Sequence, residues 1–251
     1  MGIKDRRTQI LLTLKLLGSN DKKPISITPL ISEAFDVELN RKTTSALYQL
    51  VLDNCVGKIN QNESELYFLT TQGDYEIYLR FPFFRFIDNE WDCVFRILSY
   101  EIPEKKRELR DRLRRAVSGW GLGPWHRSFW VTPHPIIPAL RKLVSEKEEE
   151  KYIQGFEADH VFGNEDILIE KVWNTKEVES EYKKVFKKWH EILSGPESNL
   201  KKMSMVIANY VDVLNIDPGL PEKLLGKQWI GFEAFKIFNE IKDILLEKKL
   251  Q

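Results

Sequence analysis

The side chains best suited to chemistry lie between residues 40 and 52, where cationic and hydrogen-bonding groups share a short stretch with apolar ones. The apolar residues recur at helical spacing and are expected to form a buried stripe: Ala46, Leu47, Leu50 and Val51. The opposite side of such a helix carries groups that can donate to phosphates and base edges: Arg41, Lys42, Thr44, Ser45, Tyr48 and Gln49. This division predicts a DNA-reading helix. Its alternative is a solvated helix face of another small α+β domain.

Residues 1–86 supply the elements that would position this helix. An amphipathic helix from Asp5 to Leu17 ends at Gly18, and Thr28 caps a short helix from Pro29 to Phe35. Two strand-like runs separated by polar residues follow the DNA-reading helix and are typical of a β-hairpin: Cys55–Ile59 and Glu65–Leu69. Helix, helix, turn, helix and hairpin is the order of a winged helix-turn-helix, whose third helix enters the major groove.

The hairpin tip and the charge balance of residues 1–86 extend this expectation. Asn60 and Asn62 at the tip would add phosphate contacts to those of Arg41 and Lys42. The segment holds 11 basic and 10 acidic residues, which is weak electrostatics for a lone DNA-binding module. We therefore expect a homodimer that binds two half-sites of a pseudo-palindromic duplex.

Residues 87–163 predict a small ferredoxin-like α+β domain. The patterns alternate in the order strand, helix, strand, helix, strand. The strands are predicted in three runs: 91–102 (WDCVFRILSYEI), Ser128–Thr132 and Tyr152–Phe162. One helix runs from Pro103 to Ser118, and the second runs from Pro138 into the charged stretch SEKEEEK.

The first helix of this predicted domain is strongly basic. Residues 99–142 hold 10 Lys and Arg against 4 Asp and Glu. Arg107, Arg110 and Arg114 share one flank of the helix, where they can clamp a phosphate of DNA or an anionic ligand such as a coenzyme A thioester. The alternative is a solvated face in which acidic neighbours pair with the arginines: Glu104, Glu108 and Asp111.

Residues 164–251 predict a helical C-terminal domain. Large side chains fall on successive helical turns: Trp173, Tyr182, Phe186, Trp189 and Ile192. Asp217 and Pro218 mark a turn, and a last amphipathic helix follows it. A stripe of this kind is typical of a core or a subunit contact rather than of a cofactor pocket.

Composition argues against several other classes of protein. The only cysteines, Cys55 and Cys93, both lie in apolar strand-like runs, and the four histidines are scattered, so neither a disulfide framework nor a zinc site is expected. No run approaches the ~20 apolar residues that span a bilayer, and no cleavage site follows the N-terminal apolar residues. Nucleophile-elbow, phosphate-loop and zinc-protease motifs are missing. We expect a cytoplasmic protein with no membrane partner, no metal and no cofactor.

The segment DPGLPEKLLGKQWIGFEA at 217–234 resembles the C-terminal signature of the PaaX-like family of phenylacetate-degradation repressors. The matching residues are spaced along it: Asp217, Pro218, Leu220, Pro221, Leu224, Leu225, Trp229, Gly231 and Ala234. The stretch from Trp91 to Pro133 is similar to the family's middle domain in its tryptophan–aspartate pair, its isoleucine–proline–glutamate turn and its glycine-broken second strand.

This resemblance implies a dimeric repressor with a winged helix, a ferredoxin-like middle and a helical C-terminal part, released from DNA by an aryl-acetyl coenzyme A. The family's third helix has two arginines where this chain has Thr44 and Gln49, whereas Ala46, Leu47 and Leu50 match. Helix packing is thus preserved while base-reading chemistry is not. Either the operator differs or sequence-specific DNA binding has weakened.

The middle segment also resembles the small CRISPR-associated ferredoxin-fold protein described as a metal-dependent nuclease. In that family an aspartate follows a tyrosine at the end of the first strand, and two copies across a dimer would hold one divalent ion. Here Glu101 follows Tyr100, with no second acidic residue at metal-ligand spacing beside it. The leading hypothesis is a non-enzymatic repressor that binds double-stranded DNA. The alternatives are a nuclease acting through Glu101 and a non-catalytic dimeric scaffold.

Overall fold

The computed structural model of the chain describes residues 5–18, 24–26, 40–61, 64–117 and 119–246. The predicted short helix from Pro29 to Phe35, its Thr28 cap and the hairpin residue Asn62 lie outside these ranges. Helices and strands are both present, so the predicted α+β class is confirmed. Within these ranges no helix is long and apolar enough to cross a membrane.

The described elements alternate between helical stretches and two groups of strands. In chain order they are α1 (Arg6–Leu17), α2 (Arg41–Leu52), β1 (Val56–Gln61), β2 (Ser64–Leu69), α3 (Thr71–Arg80), α4 (Phe83–Asp88), β3 (Phe95–Tyr100), α5 (Arg107–Ala116), β4 (Gly123–His126), β5 (Phe129–Thr132), α6 (Ile137–Val144), β6 (Ile153–Ala158), α7 (Glu165–Trp173), α8 (Thr175–Ser194), α9 (Asn199–Leu214), α10 (Glu222–Leu225) and α11 (Ile230–Leu246). Short 3₁₀ helices lie at Glu104–Lys106 and Glu148–Tyr152.

The chain divides into two compact units, each assembled from separate stretches of sequence. The first unit is 1–77 with 180–214 and 230–251, and the second is 78–179 with 215–229. The boundaries predicted after residues 86 and 163 do not coincide with the edges of these units. Sequence patterns reflect interactions between residues that are close along the chain. They do not show that helices far downstream join the N-terminal elements in one unit.

In the first unit, α1 is buried on nearly all sides. The Asp5 carboxylate accepts the Thr8 N–H at 2.9 Å and caps the helix, which ends where the Gly18 N–H donates to the carbonyl four residues earlier at 3.1 Å. The apolar residues of α1 that recur at helical spacing, Ile10, Leu11, Leu14 and Leu17, are buried, but Leu12 and Leu16 are buried as well. The helix is therefore a core element rather than an amphipathic helix with one face in water.

The predicted hairpin is present in the first unit and is longer than its sequence pattern suggests. β1 and β2 pair antiparallel along their length, with Gln61 opposite Ser64 at the last described pair. A further stretch of backbone joins the edge of β2, where Ile25 and Tyr67 exchange two hydrogen bonds of 2.8 Å. The hairpin is thus supported along the edge of β2 as well as by its own pairing.

The later helices of the first unit pack around Trp189. Its side chain is almost fully buried, and its Nε1–H donates to the Val206 carbonyl at 3.2 Å. The ring centre lies 5.5 Å from that of Tyr210 and 6.2 Å from that of Phe238, and these two rings stack at 4.9 Å. The sequence pattern left open whether the aromatic stripe is a core or a subunit contact. Trp189 and Tyr182 belong to the core, because both are buried within this chain.

The second unit is built on a four-stranded antiparallel sheet in the order β4–β5–β3–β6. One cluster joins the sheet to α5 and α6 through Leu98, Leu113 and Leu140. A second cluster joins it to α7 through Phe95 and Trp173, and Leu98 and Phe95 lie on opposite faces because side chains alternate along a strand. The sheet is therefore covered from both sides within this unit.

The second unit differs from the sequence-based expectation in three places. The sequence does not predict β4, because glycine and proline in GWGLGPW favour a turn. The second helix of the segment ends at Val144 instead of continuing through SEKEEEK, since Glu146 adopts a left-handed backbone with φ of 62°. Cys93 is exposed with φ of 64° and precedes β3, so it does not lie in a strand.

His134 is a buried and neutral hydrogen-bond donor in the second unit. Its Nε2 lies 2.8 Å from the Pro218 carbonyl, which can only accept, so Nε2 carries the proton. The ring stacks on Phe86 with centres 4.8 Å apart. Burial, together with the positive charges of Arg85 and Arg96, lowers the pKa of His134 to about 3.

We expect the free energy of unfolding to fall as the pH decreases from 6.5 towards about 3, because the unfolded chain protonates His134 and the folded chain does not. His134→Gln keeps a donor for the Pro218 carbonyl but cannot titrate, so it should remove a slope of about 1.4 kcal/mol per pH unit. Denaturant unfolding of both proteins at several pH values measures this slope. Equal slopes between about pH 6 and pH 4 would show that His134 is not the titrating group.

Candidate nucleic-acid interface

The helix that the sequence selects as DNA-reading is α2, and a side-chain cap fixes its first turn. Asn40 Oδ1 accepts the backbone N–H groups of Lys42 at 3.0 Å and Thr43 at 3.2 Å. Asparagine is favoured at this position because it satisfies N–H groups that have no partner within the helix. At the other end, the Asp53 N–H donates to the Gln49 carbonyl at 2.8 Å. The predicted span therefore matches the observed helix, with Asn40 as its cap.

The buried side of α2 differs in part from the predicted apolar stripe. Leu50 is fully buried, while Ala46, Leu47 and Val51 are half-buried. Thr43 is also buried, because it lies one turn before Leu47 and two turns before Leu50. A pattern that counts only apolar residues misses a threonine that is placed inward by the helical period.

The exposed side of α2 carries all six predicted DNA-contacting side chains. They form two neighbouring rows at i, i+4 spacing, together with Lys42 on the flank of the first row. The polar row consists of Arg41, Ser45 and Gln49. The apolar row consists of Thr44, Tyr48 and Leu52, and Leu52 is a residue that the sequence analysis did not select.

An open depression of about 650 Å³ runs beside the polar row. Arg41, Lys42, Ser45 and Gln49 line it from α2, and Arg7 lines it from α1. Arg7 is a functional candidate that sequence reasoning missed. A basic residue in the first turn of α1 is visible in the sequence, but its position beside α2 is a tertiary feature.

Positive charge is concentrated at the N-terminal end of α2. Within the described part of the chain Arg41 and Lys42 form no ion pair, and no acidic residue lies in the first turn of the helix. The partial positive charge of a helix N-terminus adds to these two cations and favours an anion there. Arg7 is in contrast neutralised, since its Nη1 lies 2.6 Å from Asp53 Oδ2 and its Nη2 lies 3.6 Å from Glu76 Oε2.

The thiol of Cys55 lies next to this ion-pair group. Its Sγ donates to Glu76 Oε1 at 3.2 Å, and burial followed by the Glu76 carboxylate raises the pKa of the thiol to about 12. The thiol therefore stays protonated at neutral pH and is unsuited to act as a nucleophile or metal ligand.

The hairpin contributes polar rather than cationic groups. Asn60 is exposed and lies opposite Glu65 in the register. Lys58 forms an ion pair with Glu65, whose other oxygen accepts the Tyr67 hydroxyl at 2.6 Å. The positive charge of the hairpin is thus offset by its own carboxylate, and Asn62 is outside the described residues.

The three arginines predicted as a phosphate clamp lie on α5 and are each engaged by a neighbour. Arg107 Nε lies 3.5 Å from the carboxylate of the aspartate one turn later, and Arg110 Nη1 donates to Glu104 Oε2 at 2.8 Å. The Arg114 guanidinium lies 5.6 Å from the centre of the Trp130 ring. An anion that binds here must compete with the carboxylates for Arg107 and Arg110.

Glu101 is exposed immediately after β3, and its backbone N–H donates to the Tyr152 carbonyl at 2.9 Å. Among the residues that the structure describes, no group of three or more histidine, cysteine, aspartate or glutamate side chains is placed to hold a metal ion. Glu101 is therefore not part of such a group within the described part of the chain.

Comparisons with known proteins cover much of the chain. The model of the PaaX protein central Cas2-like domain matches residues 88–168, and the model of the PaaX-like protein C-terminal domain matches residues 173–250. No curated protein matches the chain. Among solved structures, the uncharacterized protein Rv0674 from Mycobacterium tuberculosis is similar in fold, with a TM-score of 0.55 at 15% identity over 95% of this chain and 94% of that one.

Proposed function

Because the chain belongs to the PaaX-like family, we propose that it is a transcriptional regulator, most simply a repressor, that binds double-stranded DNA through α2. Proteins of this family are regulators rather than enzymes. The matched regions begin at residue 88, so the argument for DNA binding depends on the residues of the first unit themselves.

The observation that carries the proposal is the exposed side of α2. Arg41 and Lys42 have no anionic partner within the described residues and stand at the positive end of the helix dipole. Next to them, Ser45 and Gln49 offer hydrogen-bonding groups that can reach base edges. An unpaired cationic end followed by exposed polar groups suits phosphate contacts outside a groove and base contacts within it.

The finer architecture is part of the same proposal. The sequence order α1, α2, β1, β2 supports a winged helix-turn-helix, with the hairpin as the wing. The order of chain elements from β3 to β6 is strand, helix, strand, strand, helix, strand, which supports a ferredoxin-like domain. A homodimer would place two copies of α2 on one duplex and double the phosphate contacts.

An anionic effector such as an acyl-CoA would act through Arg107, Arg110 and Arg114. Such an effector would have to displace the present partners of these arginines, because Arg110 already donates to Glu104. The nuclease alternative has only the lone carboxylate of Glu101 in its favour, and we do not propose it.

Fluorescence anisotropy with a labelled duplex from the DNA upstream of the protein's own gene tests the proposal. We expect the full chain to bind this duplex more tightly than a scrambled duplex of equal composition. The logarithm of the association constant should fall linearly with the logarithm of the KCl concentration, because bound cations displace counterions from phosphates. Absence of binding to both duplexes would overturn the proposed function.

A further inference from the structure

The two rows on the exposed side of α2 differ in chemistry. The polar row of Arg41, Ser45 and Gln49 ends in a side-chain amide that can donate and accept at once. The apolar row presents the methyl of Thr44, the ring of Tyr48 and the side chain of Leu52, and the last two are 62% and 59% exposed. Beyond the first turn of α2, neither row contains a charged residue.

An exposed apolar row beside a polar one is unusual for a solvated helix face, which normally carries charged residues. Single apolar residues on a surface require no explanation, but Tyr48 and Leu52 are neighbours at i, i+4 on one helix. The two cations at the start of the same helix favour a polyanion as its partner. The partner surface must then combine phosphates, hydrogen-bonding groups and an apolar group.

The major groove offers an apolar group only at thymine, whose 5-methyl lies beside its own O4, while N6 and N7 of the paired adenine lie on the other side of the same base pair. Glutamine matches adenine because its amide can donate to N7 and accept from N6, whereas guanine is read by arginine or lysine. We propose that α2 reads adenine–thymine pairs, with Gln49 on adenine and the row of Thr44, Tyr48 and Leu52 on thymine methyl groups. This inference rests on the proposed DNA-binding function and adds to it the class of base pair that is recognised.

Deoxyuridine substitution tests the apolar row, because it removes the thymine methyl and leaves every hydrogen-bonding group in place. Duplexes recovered by the full chain from a random pool should contain adenine–thymine pairs in each half-site. Replacing their thymines with deoxyuridine should weaken binding by about threefold to fivefold for each contacted methyl. In Tyr48→Ser the thymine and deoxyuridine duplexes should bind more nearly alike.

Gln49→Ala tests the polar row and should weaken binding to the recovered duplex by at least about fivefold. Its binding should also become insensitive to 7-deazaadenine, which lacks the N7 acceptor. Arg41→Ala is the matched control on the same helix, since it should weaken all duplexes equally. Tyr48 and Gln49 are exposed, so circular dichroism is expected to show these variants folded.

The possible results distinguish failure of the base-pair assignment from failure of the proposed DNA binding. Tight, salt-dependent binding that selects guanine–cytosine pairs, or that ignores the thymine methyl, would overturn the base-pair assignment and leave DNA binding intact. Failure of the full chain to recover any duplex would overturn both. Loss of the methyl effect in Tyr48→Ser, with its retention in Arg41→Ala, would establish the assignment.

Discussion

Replacing both Arg41 and Lys42 with alanine is expected to abolish most of the DNA affinity of the protein. Each lost phosphate contact should flatten the plot of log K against log salt concentration by about 0.9 units. Two contacts in one subunit then contribute about 30-fold to affinity at 0.15 M salt, and the four contacts of a homodimer contribute about a thousandfold. Anisotropy titrations of the variant at several KCl concentrations measure both the affinity and the slope.

This effect should be large because these cations are not engaged elsewhere in the described part of the chain. A cation already paired with a carboxylate must give up that partner to bind phosphate, as Arg7 must with Asp53 at 2.6 Å. Alanine at positions 41 and 42 also improves helix propensity, so the fold should not suffer. The expected loss is therefore a loss of contacts and not of structure.

Lys187 and Lys188 provide a matched control for the double variant. They are adjacent, exposed cations of the same unit, but they lie on α8 rather than on α2. Replacing both with alanine removes the same formal charge and should change affinity and slope only slightly. If the two double variants behaved alike, DNA binding would reflect the overall charge of the protein, and α2 would not be its site.

The site was predictable from sequence wherever local signals determine the geometry. Asn40 as a cap and the apolar period of α2 are set by residues within a few positions of each other, and the structure reproduces the helix. Exposure of the six selected side chains follows from the same period. Thr43 was missed because burial depends on its angular position and not on its polarity.

Features that depend on residues distant in sequence could not be predicted. The place of Arg7 beside α2 and its pairing with Glu76 join residues from different helices, and no spacing rule records such contacts. The strand β4 could not be predicted from sequence because its glycine and proline favour a turn locally. Pairing with β5 determines its extended conformation. The joining of the C-terminal helices with the N-terminal elements in one unit is a feature of the same kind.

Because the C-terminal helices and the N-terminal elements form one unit, Trp189 contributes to the stability of the whole first unit. Trp189→Ala is expected to lower the free energy of unfolding by about 3–5 kcal/mol, because it removes a fully buried ring and leaves a cavity. The ring contacts with Tyr210 and Phe238 and the hydrogen bond to the Val206 carbonyl are lost together. For a chain of 251 residues this corresponds to a decrease in Tm of roughly 6–20 °C.

Thermal unfolding followed by circular dichroism measures this decrease, and DNA binding provides a second readout. Because α2 and Trp189 belong to one unit, binding by Trp189→Ala should be normal well below its Tm and should be lost along with the folded signal. Trp189→Phe keeps an aromatic ring and should lose less than half as much stability, while the exposed neighbour Lys188→Ala should change stability by less than about 0.5 kcal/mol. An unchanged Tm combined with loss of the dimer would instead identify the ring as a subunit contact, contrary to its burial within this chain.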